Sequence, residues 1–159
     1  MIDLHGPDSR ERLLSALSVG RWADEVAAGS PYPSLDALVA AGERAAATLT
    51  DAELDEAVGT HPRIGEGRGG DDLSAAEQAG LGRRDEGVDA AIVRSNEVYE
   101  HRFGRVFLIR AAGRTREEVL EELQRRLKND PDQEAQEAKE QAAQIAALRL
   151  RTLFADDAS

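Results

Sequence analysis

Three times the chain sets a serine or threonine three places ahead of a glutamate at the head of an apolar stripe: Thr50 with Glu53, Ser74 with Glu77, and Thr115 with Glu118. In such a box the hydroxyl accepts from the N–H three residues on. The glutamate reaches back to the N–H of the capping residue, so two donors that a helix start leaves unpaired are satisfied locally. The apolar spacing agrees with helices throughout. Leu13, Leu14 and Leu17 mark a helix over residues 9–19. Gly20 and Arg21 interrupt it, and Trp22 and Val26 mark another over 22–28. Ser34 caps a third over 35–49, with Leu35, Leu38, Val39, Gly42, Ala45, Ala46 and Leu49 on one face. Thr50 opens a short helix through Leu54 and Val58. Ser74 opens a long one with Leu81, Val88, Ile92, Ser95 and Tyr99 inward, reaching about His101 and stopped by Gly104. Thr115 opens a helix through Val119, Leu120, Leu123 and Leu127. Asp130 caps the last, with Pro131 in its first turn, running to about Phe154. Aromatics make up only 4% of the residues, which leaves alanine and leucine to build the core and weighs against sheet. Only the run Val106, Phe107, Leu108, Ile109 is ambiguous between strand and buried turn. The expectation is an all-α chain: one compact domain over residues 1–159, of about seven to eight helices, with residues 1–8 and 155–159 mobile.

The same composition excludes several chemistries. With no cysteine there is no disulfide, no thiolate nucleophile and no cysteine metal site. The three histidines are not spaced as metal ligands on a helix, and the acids follow no calcium-loop pattern, so no metal is expected. A net charge of -11 makes a poor binder of nucleic acid or anionic membrane. No run approaches the roughly 20 apolar residues of a membrane span, and Met1 to Arg10 lack the apolar centre of a secretion signal. The expectation is a soluble cytoplasmic protein. The glycines from Gly65 to Gly70 lack the Gly-Lys-Ser/Thr ending of a phosphate loop.

Three side chains remain as carriers of chemistry. His61 stands before Pro62, which keeps it extended, at a helix-to-loop break followed by Arg63, Ile64 and Gly65. An imidazole titrates near neutrality, so His61 suits general acid or base work, although a histidine bonded to backbone is the plain alternative. Glu77 leads the inward face Leu81, Val88, Ile92, Tyr99. It either closes its capping box or orients a histidine or polar ligand, with Ser74 and Gln78 beside it at the helix mouth. Arg149 falls on the inward stripe Ala138, Ala142, Ile145, Arg149, Thr152. A buried guanidinium either grips an anionic or planar oxygen pair or finds an internal acid, unless it snorkels outward. The other lysines and arginines of the last two helices alternate with acids and read as solvated faces.

The motifs occur in a specific order: His61-Pro62-Arg63-Ile64-Gly65, then Ser74-Ala75-Ala76-Glu77-Gln78-Ala79-Gly80, then residues 96–104 (NEVYEHRFG) with Phe107-Leu108-Ile109, then Arg126-Leu127-Lys128-Asn129, and finally Leu148-Arg149-Leu150. From Trp22 to Leu153 the chain resembles the family of 2-oxo-4-hydroxy-4-carboxy-5-ureidoimidazoline (OHCU) decarboxylases. The resemblance implies an all-helical, cofactor-free and generally homodimeric enzyme of urate degradation, acting on a small ureide and releasing carbon dioxide to give (S)-allantoin. It implies that His61 and Glu77 are catalytic. It implies substrate contacts from Pro62, Ser74, Gln78, Phe107, Leu108, Ile109, Arg110, Ala111 and Arg149. A non-catalytic helical interaction module, or a cofactor-free hydrolase or isomerase of a related ureide, are the competing readings.

Overall fold

The computed structural model describes residues 1–59 and 86–158. Seven α-helices lie among them: α1 (Ser9–Ala16), α2 (Gly20–Ala28), α3 (Leu35–Ala46), α4 (Asp51–Val58), α5 (Glu86–Phe103), α6 (Arg116–Arg126) and α7 (Pro131–Leu153), followed by a 3-10 turn at Asp156–Ala158. The all-α expectation holds. The single β-type pairing among the described residues is an isolated antiparallel bridge between Ile2 and Tyr32. No helix among them is long and apolar enough to cross a membrane. The chain divides into two compact units, Met1–Ala57 with Lys139–Ser159, and Val58–Ala138.

In the first unit Trp22 on α2 is fully buried, and its Nε1–H donates to the Gly42 carbonyl of α3 at 2.9 Å. Glycine inside a helix costs roughly 1 kcal/mol against alanine, so its place here needs a reason. A Cβ at Gly42 would stand 2.7 Å from Leu150 Cδ1 and 3.3 Å from Trp22 Cζ2. The bare backbone is what lets α3 approach both α7 and the indole. Leu13, Leu38, Leu54, Leu150 and Phe154 close the core around them, each at most 0% exposed.

The interruption after α1 is placed differently from the sequence expectation. Helix α1 stops at Ala16, Leu17 turns extended, and Gly20 is the first residue of α2 instead of a breaker. Leu17 and Val19 are both buried, so the link is held by packing. Contacts reach into both ends of the described chain. Ile2 and Tyr32 exchange backbone bonds of 2.7 and 2.8 Å, and Ile2 and Leu4 enter the core. The Arg12 guanidinium lies 4.0 Å from the Phe154 ring centroid and pairs with Asp157 at 2.9 Å.

The Thr50 box forms as expected, with Thr50 N donating to Glu53 Oε1 at 3.0 Å and Glu53 N to Thr50 Oγ1 at 3.1 Å. Its glutamate is shared. Arg21 of α2 grips the same carboxylate through Nε at 2.8 Å and Nη2 at 3.0 Å, and also reaches the Ala45 carbonyl at the end of α3.

In the second unit α5 ends where expected. Gly104 adopts φ 72°, a left-handed conformation that glycine enters without Cβ strain, and its N–H closes on the Glu100 carbonyl at 2.9 Å. The Thr115 box forms at the head of α6. Asp130 Oδ1 accepts from Gln133 N at 2.8 Å at the head of α7. Ile92, Tyr99, Phe107, Ile109, Val119 and Leu123 build one apolar cluster. The Tyr99 and Phe107 rings meet edge to face, with centroids 5.1 Å apart.

Two outcomes are expected from the first unit. Gly42→Ala gains helix propensity worth roughly 1 kcal/mol but overpacks a full core at about 1–3 kcal/mol, so it lowers the denaturation midpoint. A double-mutant cycle with Leu150→Ala is then strongly non-additive, because the second change opens the space that the first demands. The Arg21 guanidinium, helped by the Thr50 N–H, holds the Glu53 carboxyl down at about 2 against an ordinary 4.5. A depressed carboxyl stabilises the fold fully above its unfolded value and loses that contribution as pH falls through the folded one. Urea titrations of Glu53→Gln should therefore show a stability deficit at neutral pH that closes between pH 4.5 and about 2.

Candidate active site

Of the residues singled out by sequence, His61, Pro62, Ser74, Glu77 and Gln78 lie outside the described residues. Arg149 and the segment from Phe107 to Ala111 lie within them.

Arg149 sits on α7 in the first unit and is 4% exposed, so it does not snorkel to the surface. Its Nη1 donates to the Ser15 carbonyl at 3.3 Å. That carbonyl belongs to the last turn of α1, where carbonyls lack helical partners and the helix dipole is negative. The stripe that carries Arg149 inward is nearly the expected one. Ala138, Ala142 and Ile145 are buried, but Thr152 is exposed and bonds the Leu148 carbonyl of its own helix. The buried face continues instead through Leu150 and Phe154, because a straight helix turns through 3.6 residues and drifts off a strict alternation of three and four.

The segment after Gly104 belongs to the second unit. Residues 106–110 follow neither helix nor strand, which settles the Val106 to Ile109 ambiguity as buried irregular backbone. Phe107, Leu108, Ile109 and Ala111 are each under 5% exposed, while Arg110 is half-buried. Consecutive apolar side chains in extended backbone point to opposite faces, so burial of all three from 107 to 109 means protein on both sides. The Arg110 carbonyl accepts from Arg114 Nε at 2.9 Å, and the Leu108 carbonyl from Arg126 Nη1 at 2.8 Å.

That second donor leads to a polar cluster which the sequence reading put on a solvated face. Arg126 is 1% and Glu134 0% exposed. The Glu134 carboxylate receives Arg126 Nε at 2.9 Å and Arg126 Nη2 at 2.5 Å. It also receives the Tyr99 hydroxyl at 2.5 Å and Asn129 Nδ2 at 3.2 Å. The guanidinium lies 4.5 Å from the Phe107 ring centroid. Arg102 Nη2 donates to the Asn129 carbonyl at 2.6 Å, tying the end of α5 to the turn before α7. Burial, and then the bond to Glu134, raises the Tyr99 hydroxyl well above the ordinary phenol value, so it stays a donor at any working pH. Removing one member of such a buried pair typically costs roughly 3–5 kcal/mol, because the other charge is left without compensation. The wheel argument used for Arg149 finds both residues. Glu134 precedes Ala138 and Ala142 at intervals of four, and Arg126 follows Val119 and Leu123 at four and three.

Chemically, the described residues supply a deeply buried cation at Arg149. They also supply a rigid run of irregular backbone, whose peptide groups are not all committed to a helix or sheet ladder in the manner of regular structure.

Comparison with known proteins gives the family. The OHCU decarboxylase family profile matches residues 4–151. The uric acid degradation bifunctional protein PucL of Bacillus subtilis (strain 168) is 30% identical over 165 residues, covering 98% of this chain and 33% of PucL. A 2-oxo-4-hydroxy-4-carboxy-5-ureidoimidazoline decarboxylase of Haloferax volcanii is 29% identical over 139 residues, 86% of this chain and 83% of its own length. The chain spans less than half the length of the first curated relatives it matches. In fold it is similar to the crystal structure of an OHCU decarboxylase in the presence of (S)-allantoin, with a TM-score of 0.79 and 23% identity over 92% of this chain and 99% of that one. A profile match running from the buried N-terminal segment through Arg149 establishes that this chain belongs to the OHCU decarboxylase family.

Proposed function

We propose that this chain converts OHCU to (S)-allantoin and carbon dioxide in urate degradation, without a cofactor, as a cytoplasmic homodimer. The observation that carries the reading is the family match, which spans every candidate site residue from His61 to Arg149. The burial of Arg149 and the anchoring of the Phe107 to Ala111 backbone support it.

The reaction suits these residues. Breaking the bond to the carboxylate leaves an electron pair that the conjugated ring accepts, so the substrate supplies its own electron sink. The hydroxyl on that carbon becomes the ring carbonyl, and one proton is added to the ureido-bearing carbon. His61 delivers this proton to one face, which makes the product a single enantiomer. Glu77 orients His61 and the substrate. Arg149 anchors the anionic side of the ring with a charge-assisted bond. Backbone N–H groups around Ile109, with Pro62, Ser74, Gln78 and the neighbours of Ile109, hold the ring and ureido oxygens where charge develops.

Freshly prepared OHCU decays unaided to racemic allantoin, which gives a clean measurement by circular dichroism. Wild-type protein is expected to accelerate the decay and yield one enantiomer. His61→Ala, still folded, is expected to return the product to the racemate at the unaided rate. A single enantiomer formed at wild-type rate by His61→Ala removes the histidine from the mechanism.

A further inference from the structure

Resting on the reading above, the geometry points to Arg126 as a positioning residue for the reaction: by holding the Leu108 carbonyl it sets the direction of the Ile109 N–H. The two groups belong to one peptide unit, which is planar and trans, so the N–H points opposite to the carbonyl. Arg126 Nη1 bonds that carbonyl at 2.8 Å, both groups being buried. The Ile109 N–H is therefore aimed away from Arg126.

This segment needs such a device. In a helix or a sheet, the ladder of backbone bonds fixes every peptide plane. Residues 106–110 belong to neither. Rotation of the 108–109 plane would present a carbonyl oxygen where the donor stood, turning attraction for a developing negative charge into repulsion. An oxyanion donor acts only when it is held in place before the charge forms. Arg126 is itself prevented from turning. Nε and Nη2 are both bonded to Glu134, and the Phe107 ring lies against the guanidinium. Glu134 is held in turn by Tyr99 and Asn129. The planar fork thus spends one edge on the carboxylate and its remaining nitrogen on the backbone, a division of labour that a lysine ammonium cannot reproduce in the same geometry.

A purely structural pair would affect stability alone, so the test separates the two roles. In the full chain, Arg126→Met with Glu134→Leu replaces the pair by apolar groups of similar size, a change that avoids leaving a lone buried charge. Arg126→Lys is the second variant, and Glu53→Gln, in the first unit, is a destabilised control. The double variant is expected to fold by far-ultraviolet circular dichroism and to lose at least tenfold in kcat on OHCU, with KM within threefold of wild type. The control keeps wild-type kcat per folded molecule. Arg126→Lys is read by the same thresholds if the double variant fails to fold. A smaller loss in kcat, or a rise in KM alone, overturns the inference while leaving the decarboxylase reading standing. Wild-type protein that fails to accelerate OHCU decay overturns both.

Discussion

The contact between Arg126 and Glu134 constrains more of the second unit than any apolar pair does. Two charges taken out of water lose several kcal/mol of hydration each, and their attraction makes that good only if the remaining hydrogen-bonding positions are filled. Here they are filled from three segments: α5 supplies the Tyr99 hydroxyl, the turn before α7 supplies Asn129, and the segment after α5 supplies the Leu108 carbonyl, with the Phe107 ring lying against the guanidinium. Hydrophobic burial alone would tolerate small sliding of α5 over α6. A carboxylate whose partners sit at 2.5–3.2 Å does not. The apolar cluster of Ile92, Val119 and Leu123 supplies the driving force for this unit, and the buried pair selects one arrangement of it.

The first unit reaches specificity by another route. Its tightest point is an absence, the missing side chain of Gly42, against which Trp22 and Leu150 close. Its shared charges lie nearer the surface, where Arg21 joins α2, the end of α3 and the box that opens α4. Partly exposed pairs of this kind are individually worth under about 1 kcal/mol. Arg21 matters more for the number of helix ends it satisfies at once than for the strength of any one bond.

What the sequence makes legible follows from this difference. Helix starts are local chemistry, and the boxes at Thr50 and Thr115 and the caps at Ser34 and Asp130 are all found where the spacing puts them. Glycine stops are local too, as Gly104 demonstrates. The break between α1 and α2 was displaced because it depends on the burial of Leu17 and Val19, a tertiary fact. The buried pair escaped notice for a related reason. Arg126 and Glu134 are eight residues apart across a turn, among surface ion pairs such as that of Arg125 with Glu137. Counting charges around a helix makes the two kinds look alike, and only registering each charge against the apolar stripe separates them. Arg149 was recognised as inward for that very reason. The Ser15 carbonyl that it meets, 134 residues away in the chain, was beyond any local pattern. The candidate site residues as a set come from the resemblance, not from local pattern. His61 and Glu77 lie outside the described residues.

An acidic protein proposed to act on an anion presents an apparent conflict, which distance and dielectric resolve. At physiological ionic strength charges on the surface are screened beyond about 8 Å, so a net charge of -11 spread over the exterior exerts little force on a small ligand already inside a pocket. Inside, the effective dielectric falls and one well-placed cation outweighs several distant acids. Arg149, 4% exposed, is the cation to which the proposed mechanism gives that part. Arg126 supplies no such charge, since Glu134 neutralises it and its remaining nitrogen is committed to backbone. On the proposed reading Arg126, electrically cancelled by Glu134, contributes rigidity to a neutral N–H donor in place of charge. A neutral donor held this way stabilises charge where it develops without adding positive potential of its own that would bind the substrate carboxylate as tightly before the reaction as during it.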